Sequence, residues 1–80
     1  MPRKKQNTRA SQHGIKATAL ARDTVAKLER MRAKIVKLQE PWEEADPMVE
    51  TATDRTVEAI DDLIKQYKES AEYLNEPIDD

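Results

Sequence analysis

The sequence contains no cysteine and no phenylalanine, and it has a single glycine and a single tryptophan. Without cysteine, the chain can form no disulfide, no thiolate metal site and no cysteine nucleophile. The lone glycine lies in none of the patterns that mark phosphate-binding loops, calcium loops or nucleophile elbows. These absences exclude the commonest cross-links that stabilise a small fold and several common catalytic and ligand-binding motifs.

Long apolar runs are also missing, since no stretch approaches the roughly 18 residues needed to cross a bilayer. The basic N-terminus is not followed by the apolar segment of a signal peptide. We therefore expect no contact with membranes, and a location that is intracellular (cytoplasmic) or within a virion-like particle.

The 80 residues make one domain at most, and apolar and charged residues each account for 38% of them. The charge is divided by position. Residues 1–39 carry 11 basic and 2 acidic side chains, a net charge of +9, whereas residues 40–80 carry 3 basic and 14 acidic ones, a net charge of −11. This difference in charge between the two halves gives information about binding partners and assembly, and it does not indicate the fold.

Residues 1–14 predict a flexible basic arm, because Ala10 is the only aliphatic residue after Met1 and the segment has little apolar surface to bury. Residues 75–80 predict a short acidic tail that frays. The segment between them, residues 15–74, carries the heptad patterns of a helical domain.

Residues 15–39 predict a first helix, because they lack glycine and proline and are rich in good helix formers. The helix should end before Pro41. Its apolar positions follow a heptad, beside which Leu20, Val25 and Val36 widen the apolar stripe. The two sets of heptad positions are Ala21, Leu28, Ile35 and Trp42, and Thr24, Met31 and Leu38.

Residues 47–74 predict a second helix of similar length. Asp46 is placed to cap its first turn, Pro47 suits the first helical position, and Asn75 suits a left-handed C-terminal residue. Its heptad positions are Val49, Thr53, Thr56, Ile60, Leu63, Tyr67, Ser70 and Leu74, widened by Val57, Ala59, Ile64 and Ala71.

The two helices and their short connection predict an all-α fold, an antiparallel two-helix hairpin. Both apolar stripes are wider than one helix–helix contact needs, so we expect the hairpin to be completed as a four-helix bundle or a larger oligomer. The residues expected in the core or oligomer interface are Leu28, Met31, Ile35, Leu38, Trp42, Ile60, Leu63, Ile64 and Tyr67.

Groups that could carry catalysis are scarce. The only histidine, His13, lies in the arm, and no glutamate precedes a histidine by three residues as di-iron bundles require. The carboxylates of the second helix are expected on its outer face rather than in a cleft. We therefore predict that the protein is not an enzyme and uses no metal, cofactor or small-molecule substrate.

Basic residues give the strongest functional signal. A cluster in the arm and one angular sector of the first helix are suited to a phosphate backbone. A solubilising tail, and neutralisation of the helix by an acidic neighbour, are the ordinary alternatives. The residues predicted to contact nucleic acid or another anionic partner are Arg3, Lys4, Lys5, Arg9, Lys16, Lys27, Arg30, Lys34 and Lys37.

These features predict a non-enzymatic structural or assembly protein. Its oligomeric hairpin would dock into a larger complex, for which a phage or virion particle is one setting, and its arm would contact an anionic neighbour. The alternative is a small nucleic-acid-binding regulator that uses the arm and the basic face of the first helix. A third hypothesis is an inhibitory module whose acidic helix mimics nucleic acid.

Overall fold

The computed structural model describes residues 7–78, and the regular elements of this range are helices. Helix α1 (Arg9–Gln12) is a single turn, whereas α2 (Ala17–Gln39) and α3 (Pro47–Asn75) are long. A 3-10 turn (Glu40–Trp42) follows α2 directly. The predicted all-α class is confirmed for the described part of the chain.

Helix α3 begins at the predicted residues. Asp46 has an extended backbone, and its Oδ1 accepts a hydrogen bond from the Met48 backbone N at 3.0 Å, while Pro47 occupies the first turn. The carboxylate thereby satisfies a backbone N–H that has no partner within the helix. Glu50 adds negative charge in the same first turn, which the positive end of the helix dipole favours.

The end of α3 differs from the prediction for Asn75. Among the described residues, Gly14 alone has a positive φ, so Asn75 is not a left-handed residue. It is the last residue of the helix, and its Nδ2 donates to Thr18 Oγ1 at 2.8 Å. A side-chain contact with α2 therefore replaces the expected backbone turn, and Glu76 continues in an extended conformation.

Helices α2 and α3 lie side by side and run in opposite directions, as two contacts show. Asn75 binds Thr18 near one end, and in the middle the Arg32 guanidinium binds Asp61 through Nε–Oδ1 and Nη2–Oδ2 distances of 2.8 and 3.2 Å. The hydrogen bond and the charge of Asp61 raise the pKa of Arg32 above its ordinary value. Asp61, expected on the outer face, thus joins the two helices.

Each long helix faces the other through one heptad row, which we call its inner row. The inner-row side chains are buried or half-buried except for Tyr67, which is 39% exposed. Val25 and Ile60 are the most enclosed, at 8% and 9% exposure. The inner row of α2 is Ala21, Val25, Leu28, Arg32, Ile35 and Gln39, and that of α3 is Thr53, Val57, Ile60, Ile64, Tyr67, Ala71 and Leu74.

The inner rows correct part of the predicted heptad. Val25, expected beside the contact, is buried, whereas Met31 and Leu38, expected within it, are exposed. In α3, Ile64 is half-buried and the preceding Leu63 is exposed. The physical reason is that two adjacent rows share the heptad period, and the period does not show which row faces the chain's own second helix.

Residues 7–14 do not form the flexible arm that was predicted for them. Thr8 Oγ1 accepts from Ser11 N at 3.0 Å and Ser11 Oγ accepts from Thr8 N at 3.1 Å, which caps α1. Ala10 is 3% exposed, and Gly14, with φ of 68°, reverses the chain so that Ile15 N donates to Ala10 O at 3.0 Å. The local cap and the burial of Ala10 order this stretch.

The N-terminal turn is fastened to the end of α3. The Arg9 guanidinium lies over the Tyr73 ring, 4.2 Å from its centroid, and Arg9 Nη1 donates to the Tyr73 carbonyl at 3.3 Å. Ile78 N donates to Asn7 O at 2.9 Å beside an isolated bridge between Thr8 and Pro77. The predicted acidic tail is therefore held in place as far as Ile78.

Candidate interaction surface

The two grooves between α2 and α3 differ in their chemistry. One groove, of about 430 Å³, is lined by the charged side chains Arg22, Glu29, Lys68 and Glu72 beside smaller residues. The opposite groove, of about 550 Å³, is lined by uncharged residues only. Its lining is Ile15, Ala17, Leu20, Ala21, Thr24, Leu63, Gln66, Tyr67, Ser70, Ala71 and Leu74.

A second heptad row, which we call the outer row, runs along each helix beside the uncharged groove. Every outer-row position directly precedes an inner-row position, and one residue turns the helix by roughly 100°. The outer row of α2 is Leu20, Thr24, Lys27, Met31, Lys34 and Leu38. The outer row of α3 is Ala52, Thr56, Ala59, Leu63, Gln66, Ser70 and Tyr73.

The large apolar side chains of the outer rows are open to solvent. Leu20 is 51% exposed, Met31 53%, Leu38 66%, Leu63 42% and Tyr73 53%. Aligned exposed side chains of this size mark an interaction surface in a soluble protein. We call the uncharged groove together with the two outer rows the apolar face.

The nine residues predicted for the core or oligomer interface are divided among the inner rows, the outer rows and the 3-10 turn. Trp42, predicted for the core or oligomer interface, lies in the 3-10 turn and is 56% exposed. Leu28, Ile35, Ile60, Ile64 and Tyr67 belong to the inner rows, whereas Met31, Leu38 and Leu63 belong to the outer rows.

The basic residues predicted to bind an anionic partner are only partly brought together. Lys27, Arg30 and Lys34 surround Met31 at a shallow depression of about 460 Å³ on α2. Lys37 is exposed on the same helix, and Lys16 is the exposed residue that directly precedes it. We call Lys16, Lys27, Arg30, Lys34 and Lys37 the basic surface of α2.

The arm residues Arg3, Lys4 and Lys5 lie outside the described residues. Arg9, the fourth basic residue predicted in the arm, is engaged by the Tyr73 ring and carbonyl instead of extending from the fold. Of the basic surface of α2, Lys27 forms an ion pair within the described range, with its Nζ 2.9 Å from Asp23 Oδ2.

The part of the chain that the structure describes holds no cluster of three or more metal-ligating side chains. Neither of its long helices has an apolar stretch of the length that a bilayer requires. Comparisons with protein-family models, with curated proteins and with solved structures find no match to this chain. The described surface therefore has two features, the apolar face and the basic surface of α2, and Lys27 and Lys34 of the α2 outer row belong to both.

Proposed function

We propose that the protein is a non-enzymatic assembly protein, a helical hairpin that enters a larger complex through its apolar face. The apolar face is the observation that supports this function. The apolar residues that the described chain buries well are only Ala10, Ala17, Val25 and Ile60. Because a chain of this size depends on apolar burial for its stability, a partner that covers the face stabilises the fold at the same time.

The basic surface of α2 gives the assembly a second contact. Arg30 and Lys37 are exposed cations on the side of α2 away from α3, where a neighbouring anionic surface can approach. Together with the basic residues of the arm, they would attract phosphate or carboxylate groups. A particle of the phage or virion type is one setting that supplies both a protein lattice and nucleic acid.

The molar mass in solution tests the proposed function. We expect a mass above the 9.2 kDa of a single chain, measured by light scattering or sedimentation over a range of concentrations. The thermal midpoint should rise with protein concentration, because association stabilises the folded state by mass action. A 9.2 kDa species that unfolds cooperatively at a concentration-independent temperature, and that retains no partner from its native source, would contradict the proposal.

A small nucleic-acid-binding protein is the second candidate, and the clustering of Lys27, Arg30 and Lys34 at one depression favours it. Cations that neutralise phosphates release condensed counterions, so the affinity would fall steeply with salt. In this function the basic surface of α2 and the arm carry the binding, and the apolar face serves only self-association.

Salt titrations with duplex DNA and RNA test the second candidate. Replacing Arg30 and Lys37 by glutamine should weaken binding and lower the salt slope by about one unit for each lost phosphate contact. Glutamine at the three basic arm residues should have the same effect. The matched control replaces Lys65 and Lys68 of α3, and equal slopes for the two pairs, or no binding at low salt, would exclude this function.

A further inference from the structure

The apolar face has the shape and charge of a surface that pairs with itself. Building on the proposed function, we propose that its occupant is a second copy of this chain, with α2 of each copy packed on α3 of the other. The two copies are related by a two-fold axis parallel to the helices. The arrangement is a four-helix bundle in which every neighbouring pair of helices is antiparallel.

The angle between the rows supports this arrangement. The outer row precedes the inner row by one residue on both helices, which places the two rows roughly 100° apart around each helix. In a four-helix bundle, each helix stands at a corner and faces two neighbours at about a right angle. One row therefore serves the contact within the chain, and the other row faces the second copy.

The in-chain contacts set the register between the copies. Thr18 contacts Asn75, and Arg32 contacts Asp61. The two residues of each pair therefore lie at the same height, that is, at the same position along the helix axes. In both pairs the residue numbers add to 93. A two-fold axis parallel to the helices leaves height unchanged. The outer rows then match position by position, so that Met31 meets Leu63 of the partner subunit, with Leu20 opposite Tyr73 and Leu38 opposite Thr56 in the same way.

Charge selects this pairing over the other two-fold arrangement. Stacking α2 on its own copy would bring Lys27 and Lys34 of both chains into one contact, and such like charges repel. The outer row of α3 is uncharged instead. Against it, the lysine stems lie along apolar surface while their ammonium groups reach outward, toward the acidic edge of the partner's α3 near Asp62 and Glu69.

The apolar face is also of adequate size. From Leu20 to Leu38 it extends about 27 Å along α2, at 1.5 Å per residue, and it is about two helix diameters, or roughly 20 Å, in width. Its projected area is therefore about 550 Å² per chain before side-chain relief is counted. That value approaches the roughly 800 Å² of accessible surface that each partner contributes to a stable interface.

Pairs of single-cysteine variants test the geometry. The natural chain has no cysteine, so Met31→Cys and Leu63→Cys each introduce one thiol. Disulfide formation requires Cα atoms within about 7 Å. We expect a covalent dimer to form when the two variants are refolded together, whereas each variant alone stays at the background level of an Ala33→Cys control on the opposite side of α2.

The outcomes separate this inference from the proposed function. Efficient linkage of Met31→Cys to itself would show α2 packed on α2 and would overturn the geometry while leaving self-assembly in place. Linkage in the mixture no greater than in the Ala33→Cys control, for a protein whose mass is that of a dimer, would overturn it as well. A monomeric mass at all concentrations would overturn this inference, whereas the proposed function would fail only if the monomer also retained no partner from its native source.

Discussion

Replacing Ile60 by alanine is expected to lower the free energy of unfolding by about 2–4 kcal/mol. Ile60 is the large aliphatic residue that α3 buries best, at 9% exposure, and it lies in the inner row beside the Arg32–Asp61 contact. The shortened side chain would leave a void between two helices that have few other buried groups to close it. For a domain of this size, the change corresponds to a drop in Tm of roughly 8–30 °C.

Thermal and urea unfolding of the two proteins, compared at one protein concentration, measure this effect. Met48→Ala is the matched control, because Met48 is a large apolar residue of the same helix that is 68% exposed. We expect its substitution to cost less than about 0.5 kcal/mol. Equal losses for Ile60→Ala and Met48→Ala would show that the inner row is not the core of the chain.

The helices themselves follow from local sequence. Asp46 and Pro47 start α3 as predicted, because a capping carboxylate and a proline at the first helical position act within one turn and need no tertiary contact. The long segments without glycine or proline made both helices predictable for the same reason. Local signals therefore determined the positions of the two long helices.

The partition of the heptad positions could not be predicted from the sequence. Val25 and Met31 both fit an apolar period, yet Val25 is buried and Met31 is 53% exposed. Arg32 occupies an inner-row position that the predicted heptad did not include, and it is accommodated because Asp61 on the opposite helix accepts two hydrogen bonds from it. That pairing depends on the register of two helices, which the sequence of neither helix shows alone.

The N-terminal turn shows the same limit over a longer separation. Arg9 and Tyr73 are 64 residues apart, and their contact holds a segment whose composition alone predicts disorder. Ala10 contributes little apolar surface by itself, but it becomes 3% exposed once the turn is fastened to α3. The composition of a segment indicates how much apolar surface the segment can bury by itself. It does not show that another part of the chain will provide a surface on which the segment packs.

The candidate interface was predictable in part. Met31, Leu38 and Leu63 stand out as apolar heptad residues, whereas Ala52 and Gln66 of the α3 outer row carry no hydrophobic signal of their own. The signal that would have found them is the absence of charge at seven successive heptad positions in a helix that is otherwise strongly acidic. A row of uncharged positions along an otherwise charged helix can therefore indicate a candidate contact surface even where some of its side chains are small or polar.

Replacing Leu63 by lysine is expected to weaken self-association by at least about 100-fold, or about 2.8 kcal/mol. Leu63 lies at the centre of the α3 outer row, opposite Met31 of the partner subunit in the proposed dimer. An ammonium group there would lose its water on association and would approach the cations Lys27, Arg30 and Lys34 of the partner subunit, which surround Met31 in each chain. Because the proposed dimer has two-fold symmetry, residue 63 lies in both contacts between the copies. The substitution therefore weakens the dimer at two places.

The dissociation constant from sedimentation equilibrium measures this loss, with the concentration dependence of Tm as an independent readout. Ala33→Lys adds the same charge to an exposed position on the far side of α2 and should leave the dissociation constant within about twofold of the natural protein. The Leu63→Lys protein should have a Tm that no longer depends on concentration, because its folding is uncoupled from association. If Leu63→Lys associates as tightly as Ala33→Lys, Leu63 lies outside the contact and the apolar face does not join the two copies.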